Sequence, residues 1–137
     1  MYTYETTVRV RYAETDQMGY VYYGNYATFY EVGRVELFRS LGFSYKALED
    51  SGVMMPVLEL HSRFLKPSRY DEEITVRTYL KEKPTVKIRF DYELFNEHDE
   101  LINTGSTTLV FVDIKRGKPC MAPPDFMERL EPYFDKQ

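Results

Sequence analysis

Asp16 is the residue whose type and setting best suit nucleophilic or general-base chemistry. Its carboxyl group is ionised at neutral pH, so it can attack an activated carbonyl carbon or take a proton from water. Gly19 follows three residues later, and a helical pattern begins near Asn25. An aspartate beside a glycine is more often a simple turn residue, so this spacing alone leaves both interpretations open.

Other residues with catalytic side chains have weaker settings. His61 lies in the middle of a strand pattern, and His98 lies in a polar turn. Cys120 has no neighbouring base in the sequence, which disfavours a reactive thiolate. Glu31 and Glu36 lie on the helical segment, where ordinary helix contacts are the simpler interpretation.

Composition favours a single domain spanning residues 1–137. The 137 residues are 43% hydrophobic, which is enough for one core. With 18 basic and 22 acidic residues, the net charge of −4 argues against nucleic acid as the main partner. No signal-peptide pattern and no apolar run of about 20 residues is present, so we expect a cytoplasmic protein without a membrane span. A single cysteine excludes an internal disulfide, and the sequence spells out no metal site.

One long helix interrupts a chain of strand patterns. Residues 3–12 alternate with period two, whereas residues 26–41 have helical spacing that ends at Gly42. A short helix is predicted over residues 45–50, four more strands follow, and a terminal helix is predicted over residues 124–133. The order β-α-β-β-β-β predicts an α+β fold, with a five-stranded antiparallel sheet wrapped around one long central helix.

Two segments carry a resemblance to a known family. The stretch from Arg11 to Tyr26, with Asp16, Gly19 and Asn25 before a long helix, resembles the signature of the 4-hydroxybenzoyl-CoA thioesterase family. The stretch from Phe64 to Asp71 resembles that family's strand end and following turn. The resemblance implies the hot-dog fold, hydrolysis of acyl-CoA thioesters, and a homodimer or homotetramer with active sites between subunits. It implies no cofactor, because CoA is part of the substrate.

The resemblance also implies catalytic roles. Asp16 is expected to face the acyl carbon as nucleophile or general base. The backbone N–H of Tyr23 is expected to polarise the carbonyl, since free amides at a helix start favour negative charge. Tyr12 matches a residue that positions the substrate or the carboxylate in some relatives. As the end of the first strand, it is equally compatible with a core position.

The expected binding residues surround this motif and one distant hairpin. Gly19 is expected to allow a tight loop, Asn25 to cap the helix or hold the loop, and Tyr26 to contact the substrate. The CoA phosphates need cations or amides. The first set of residues expected to bind them is Lys83, Thr85 and Lys87 with Lys81, and the second set is Arg63, Lys66 and Arg69.

The sequence thus predicts an acyl-CoA thioesterase. A hot-dog dehydratase, which uses a histidine with a carboxylate, and a non-catalytic acyl-CoA binder are the alternatives. Four points stay open: whether the acyl group is aliphatic or aromatic, whether its carrier is CoA or acyl carrier protein, whether Asp16 attacks directly or activates water, and whether the assembly is a dimer or a tetramer.

Overall fold

Three helices and eight strands make up the fold in the computed structural model, which describes residues 1–134. Two single-turn 3-10 helices, Tyr12–Glu14 and Tyr23–Asn25, precede the long helix. In chain order the remaining elements are β1 (Tyr2–Arg9), α1 (Tyr26–Ser40), α2 (Tyr45–Asp50), β2 (Val53–Met54), β3 (Val57–Phe64), β4 (Glu73–Leu80), β5 (Lys87–Phe95), β6 (Leu101–Val110), β7 (Val112–Asp113), β8 (Lys118–Pro119) and α3 (Pro124–Phe134).

Five of these strands form one antiparallel sheet in the order β1-β4-β5-β6-β3. Alternate residues of β4 and β5 face α1 and are buried, because successive side chains of a strand point to opposite faces. Ile74 and Val76 on β4, and Phe90 and Leu94 on β5, are each fully buried. The prediction of a five-stranded antiparallel sheet around one long helix is confirmed.

Helix α1 packs mainly on β1, β4 and β5, and its Tyr30 hydroxyl reaches Ser62 on β3. Gly33 permits this close packing, because a Cβ atom there would clash with the Thr78 Oγ1 and lie 2.8 Å from the Val76 Cγ1. The helix ends where Gly42 adopts a φ of +88°, a conformation that favours glycine. Ser44 then starts α2, and its side chain accepts a hydrogen bond from the Ala47 N–H at 3.1 Å.

Polar side chains on one face of α1 form hydrogen bonds to the sheet and to α2. The Tyr30 hydroxyl donates to the Asn103 Oδ1 and lies 2.7 Å from the Ser62 Oγ. One turn later the Arg34 Nε donates to the Tyr45 hydroxyl at 3.0 Å. Burial raises the pKa of Tyr30 to about 12 and that of Tyr45 to about 12. These bonds satisfy polar groups that would be costly to bury alone.

One expectation about the elements, the length of the first strand, needs correction. The first strand was expected to reach Tyr12, but β1 ends at Arg9 and Tyr12 begins a 3-10 turn with 79% of its surface exposed. The Val10 N–H still bonds to the Glu72 carbonyl, whereas the Arg11 N–H bonds to the Glu14 side chain, so the chain leaves the sheet there. The possible core position of Tyr12 is therefore wrong.

The structure also contains a small sheet that the sequence did not predict. The strands β2, β7 and β8 form it, with β7 in the middle. Each has only two residues, which is too short to show an alternating pattern.

Candidate active site

The loop between β1 and α1 folds back on itself around Gly19. The Asp16 N–H donates to the Tyr20 carbonyl at 2.8 Å, and the Gly19 N–H donates to the Asp16 carbonyl at 3.0 Å. Gly19 has a φ of +81°, which side chains other than glycine's rarely adopt. The tight loop expected at Gly19 is present.

The two oxygens of the Asp16 carboxylate have different surroundings. Its Oδ1 accepts hydrogen bonds from the Met18 N–H at 2.9 Å and the Tyr20 N–H at 3.2 Å. Its Oδ2 accepts no hydrogen bond from residues 1–134. One oxygen therefore fixes the carboxylate in the loop while the other is available for chemistry.

The amide at the start of the helix is also available. The 3-10 turn Tyr23–Asn25 leads directly into α1. Within the described chain, the N–H groups of Tyr23 and Gly24 donate to no acceptor, whereas the Tyr22 N–H is engaged by the Glu14 carbonyl at 2.9 Å. Free amides at the positive end of a helix dipole suit a carbonyl oxygen that gains negative charge.

Asp16 and Tyr23 both line one open cavity of about 510 Å³. Tyr26 and Phe64 form one wall, with their rings edge to face at 5.2 Å between centroids. Burial raises the pKa of the Tyr26 hydroxyl. The full lining is Asp16, Tyr20, Val21, Tyr22, Tyr23, Tyr26, Phe64, Leu65, Lys66 and Pro67. The two sequence segments that carry the family resemblance therefore line the same cavity.

Tyr12 and Asn25 lie beside this cavity. Tyr12 shares a separate depression with Thr15, Asp16 and Gln17, and its ring packs edge to face on Tyr70 at 5.9 Å. The Asn25 side chain makes no helix-capping bond. Its Nδ2 instead donates to the Glu14 carbonyl at 2.9 Å, so Asn25 holds the loop.

The two sets of candidate phosphate-binding residues occupy different places. Lys66 lines the Asp16 cavity and pairs with Glu100 at 2.9 Å. The guanidinium of Arg69 lies 4.8 Å from the centroid of the Tyr20 ring. Lys83, Thr85 and Lys87 precede or begin β5 and do not line the Asp16 cavity. Within a single chain, Lys66 of the second set lines the Asp16 cavity and Arg69 packs on Tyr20 of its lining, whereas Arg63 lines a separate depression with Lys81.

Sequence reasoning missed Glu14. Its side chain is buried beneath Arg11, although acidic residues in loops are ordinarily exposed. The available signal was the three-residue spacing from Arg11 to Glu14, in which an acidic side chain can reach back to a main-chain N–H. Arg11 and Glu14 do form this bond, at 2.7 Å.

Neither histidine joins the Asp16 cavity. His61 pairs with Glu59 at 3.2 Å on β3, and His98 lies in the β5–β6 hairpin. Across residues 1–134, no cluster of three or more His, Cys, Asp or Glu side chains is arranged to hold a metal ion. No helix in that range is long and apolar enough to cross a bilayer.

Similarity to known proteins supports one family. The model of the thioesterase-like superfamily matches residues 10–130. The putative acyl-CoA thioesterase YneP of Bacillus subtilis is 37% identical over 87% of this chain and 86% of its own length. The acyl-CoA thioester hydrolase YbgC of Escherichia coli is 31% identical over 85% of this chain and 87% of its own length.

A solved structure agrees with the sequence relatives. The DHNA-CoA thioesterase of Staphylococcus aureus is 38% identical, covers 97% of this chain and 91% of its own, and superposes with a TM-score of 0.92. The expected relationship to hot-dog thioesterases is confirmed. The chain belongs to the thioesterase-like superfamily.

Proposed function

We propose that this protein hydrolyses acyl-CoA thioesters, with Asp16 as the reacting carboxylate and the Tyr23 amide as the carbonyl-polarising donor. The observation that carries the proposal is that Asp16, whose Oδ2 accepts no hydrogen bond within residues 1–134, lines the same cavity as Tyr23, whose N–H has no acceptor there. The thioesterase relatives support the reaction class.

The chemistry needs no group beyond these two and water. A thioester carbonyl is attacked by an oxygen nucleophile, the new C–O bond forms, and the C–S bond breaks to release CoA thiol. If Asp16 attacks directly, a mixed anhydride forms and water then hydrolyses it. If Asp16 is a general base, it takes the proton of the attacking water. In both routes the carbonyl oxygen gains negative charge, which the Tyr23 N–H stabilises. Removing one such donor typically lowers the rate about 100- to 1,000-fold.

A second copy of the chain completes the site in this proposal. Strand β3 is at the edge of the sheet, and Leu58, Leu60 and Phe64 on it are 51%, 43% and 51% exposed. An uncovered apolar edge strand is a template for pairing, and a homodimer pairing β3 with β3 protects it. Analytical sedimentation of the wild-type protein distinguishes this dimer from a tetramer.

In this proposal, two-fold pairing also brings the first candidate phosphate-binding set toward the other copy. Antiparallel β3 strands place the Val57 end of one copy beside the Phe64 end of the other. Lys87 pairs with Val110 at the Val57 end of the sheet. Lys83, Thr85 and Lys87 therefore approach the partner's cavity, where they can bind CoA phosphates. Gly19, Asn25 and Tyr26 shape the cavity of the first copy.

An aromatic acyl group is the first substrate to test. Four tyrosines and Phe64 line the cavity around Asp16, and flat rings stack favourably on such side chains. The name of the S. aureus relative, a DHNA-CoA thioesterase, also supports testing an aromatic acyl group first. Aliphatic acyl-CoA and acyl carried on acyl carrier protein are the competitors.

The test is thiol release from a panel of thioesters by the wild-type protein. The panel holds 1,4-dihydroxy-2-naphthoyl-CoA, benzoyl-CoA, short and long aliphatic acyl-CoAs, acyl carrier protein thioesters, and the N-acetylcysteamine thioester of the best acyl group. The proposal expects fastest release with an aromatic CoA thioester. It also expects a higher KM for the truncated thioester, which lacks the phosphates.

Other outcomes identify the rival functions. Absent thiol release across the whole panel, with retained acyl-CoA binding, supports a non-catalytic binder. A change in the ultraviolet absorbance of enoyl-CoA or 3-hydroxyacyl-CoA without thiol release indicates a dehydratase.

The route taken by Asp16 is tested with isotopically labelled water. Labelled oxygen that appears in the Asp16 carboxylate after a single turnover indicates direct attack by Asp16.

A further inference from the structure

Glu14 is a buried carboxylate two residues before Asp16. Only 6% of its surface is exposed, and Arg11 is its one ion-pair partner within the described chain. The Glu14 Oε1 accepts from the Arg11 backbone N–H at 2.7 Å. Its Oε2 accepts from the Arg11 Nη2 at 3.0 Å and the Arg11 Nε at 3.2 Å. The side chain therefore holds the point at which the chain leaves β1.

The main chain of Glu14 holds the other side of the loop. Its carbonyl accepts from the Tyr22 N–H at 2.9 Å and from the Asn25 Nδ2 at 2.9 Å. Tyr22 immediately precedes the Tyr23 amide, and Asn25 immediately precedes α1. One residue thus links the end of β1, the return of the loop and the start of the long helix.

We infer that Glu14 is a positioning residue that sets the separation between the Asp16 carboxylate and the Tyr23 amide. The inference rests on the proposed roles of those two groups. Glu14 itself does not line the cavity, so it acts through the loop and not by touching substrate. A misplacement of about 1 Å in a reacting group can cost about 100-fold in rate, which makes such a link kinetically important.

Variants can separate the two halves of this link. Glu14→Ala removes all three bonds from Arg11 to the side chain and leaves the Glu14 carbonyl in place. Glu14→Gln keeps an acceptor for the Arg11 N–H but loses the charge that pairs with the guanidinium. Asn25→Ala removes one of the two bonds to the Glu14 carbonyl. Glu5→Ala is the matched control, because Glu5 forms an ion pair with Arg77 between β1 and β4 and does not line the Asp16 cavity.

The experiment measures kcat and KM for thiol release, together with hydrogen exchange of the Tyr22 amide. We expect Glu14→Ala to lower kcat about 10- to 100-fold while KM stays within about twofold, since a positioning residue alters the reacting geometry and not substrate binding. Glu14→Gln and Asn25→Ala should lie between Glu14→Ala and the wild type. In Glu14→Ala the Tyr22 amide should exchange faster while amides in β4 keep their wild-type rates.

Three results overturn the inference. The first is a kcat for Glu14→Ala within twofold of that for Glu5→Ala. The second is a raised KM at unchanged kcat, which would indicate direct substrate contact. The third is unchanged Tyr22 exchange in Glu14→Ala. If Glu14→Ala fails to fold, Glu14→Gln and Asn25→Ala are held to the same criteria.

If the wild-type protein releases no thiol from any thioester of the panel, the proposed function is refuted, and not the inference about Glu14. In that case exchange at Tyr22 still decides whether Glu14 holds the loop.

Discussion

At the scale of single residues, Gly19 sets the direction of the Asp16 carboxylate. Its positive φ turns the loop so that the Met18 and Tyr20 amides both reach the Asp16 Oδ1. A Cβ atom at Gly19 would meet nothing within 4 Å, so backbone strain is the whole cost of a substitution there. Gly117, in the β7–β8 turn, has a φ of +65° and equally open surroundings.

This pair of glycines gives a matched prediction. Gly19→Ala and Gly117→Ala should each lower the free energy of unfolding by about 1–2 kcal/mol, the cost of a left-handed conformation with a side chain. Only Gly19→Ala should also lower kcat, because the strained loop moves Asp16. Urea unfolding and steady-state thiol release measure the two effects. Equal kcat values in the two variants would refute the role of the loop.

The residue scale also shows what the sequence could reveal about the site. The family resemblance pointed to Asp16, Gly19 and Tyr23 together because all three fall within one short stretch of the chain. The burial of Glu14 was not predicted, because an acidic residue three positions after an arginine resembles an exposed ion pair. The separation of Lys83 and Lys87 from Asp16 was hidden too, because it depends on how distant strands are paired.

At the scale of elements, the distance between α1 and the sheet is set by Gly33. A methyl group there would clash with the Thr78 Oγ1 and press on Val76, and overpacking of this kind costs about 1–3 kcal/mol. Gly33→Ala should lower the free energy of unfolding by that amount. Adding Thr78→Ala should restore part of it, because the Thr78 hydroxyl is buried without a partner within the described chain. Equal stability of Gly33→Ala and the wild type in urea would contradict this packing argument.

Element prediction succeeded where patterns were long. The helix expected over residues 26–41 is observed as Tyr26–Ser40, and the short helix expected over residues 45–50 is observed as Tyr45–Asp50. The edge position of β3 could not be predicted, because an edge strand and an inner strand share the same alternation. Its exposed Leu58 and Leu60 become informative only once the strand order is known.

At the scale of the whole molecule, the free energy of unfolding should depend on pH in the alkaline range, because burial raises the pKa of two tyrosines. Burial raises the pKa of Tyr30 and of Tyr45 to about 12, whereas an unfolded tyrosine titrates near 10. The folded state therefore favours the neutral phenols. Their contribution is complete below about pH 10 and is lost as the pH rises from about 10 to 12.

The free energy of unfolding should accordingly fall by roughly 2–3 kcal/mol between pH 9 and pH 11. Tyr45→Phe removes one of the two phenols and should make this decline shallower. Urea titrations at a series of pH values measure both proteins. A flat dependence up to pH 11 in the wild type would be inconsistent with neutral buried phenols.

The assembly is the second property of the whole molecule. Leu60 lies on the uncovered edge strand and is 43% exposed, so Leu60→Lys should leave the single chain folded while opposing β3–β3 pairing. Sedimentation should show a dimer or larger assembly for the wild type and a monomer for Leu60→Lys. Thiol release should be lost in this variant if, as proposed, the site needs residues of two copies. Met121→Lys, at a position 58% exposed outside the five-stranded sheet, is the control. A fully active monomer would contradict the two-copy site.

The role of Asp16 is tested most directly by kcat for thiol release in Asp16→Asn. Asparagine keeps an oxygen that can accept from the Met18 and Tyr20 amides, so the loop is retained while the ionised carboxylate is lost. Asp91→Asn, which removes a carboxylate paired with Arg89, is the control. With the best acyl-CoA of the panel, we expect kcat to fall at least about 100-fold in Asp16→Asn and to stay within about twofold in Asp91→Asn. Equal kcat values in the wild type and Asp16→Asn would contradict the assignment of Asp16 as the reacting carboxylate.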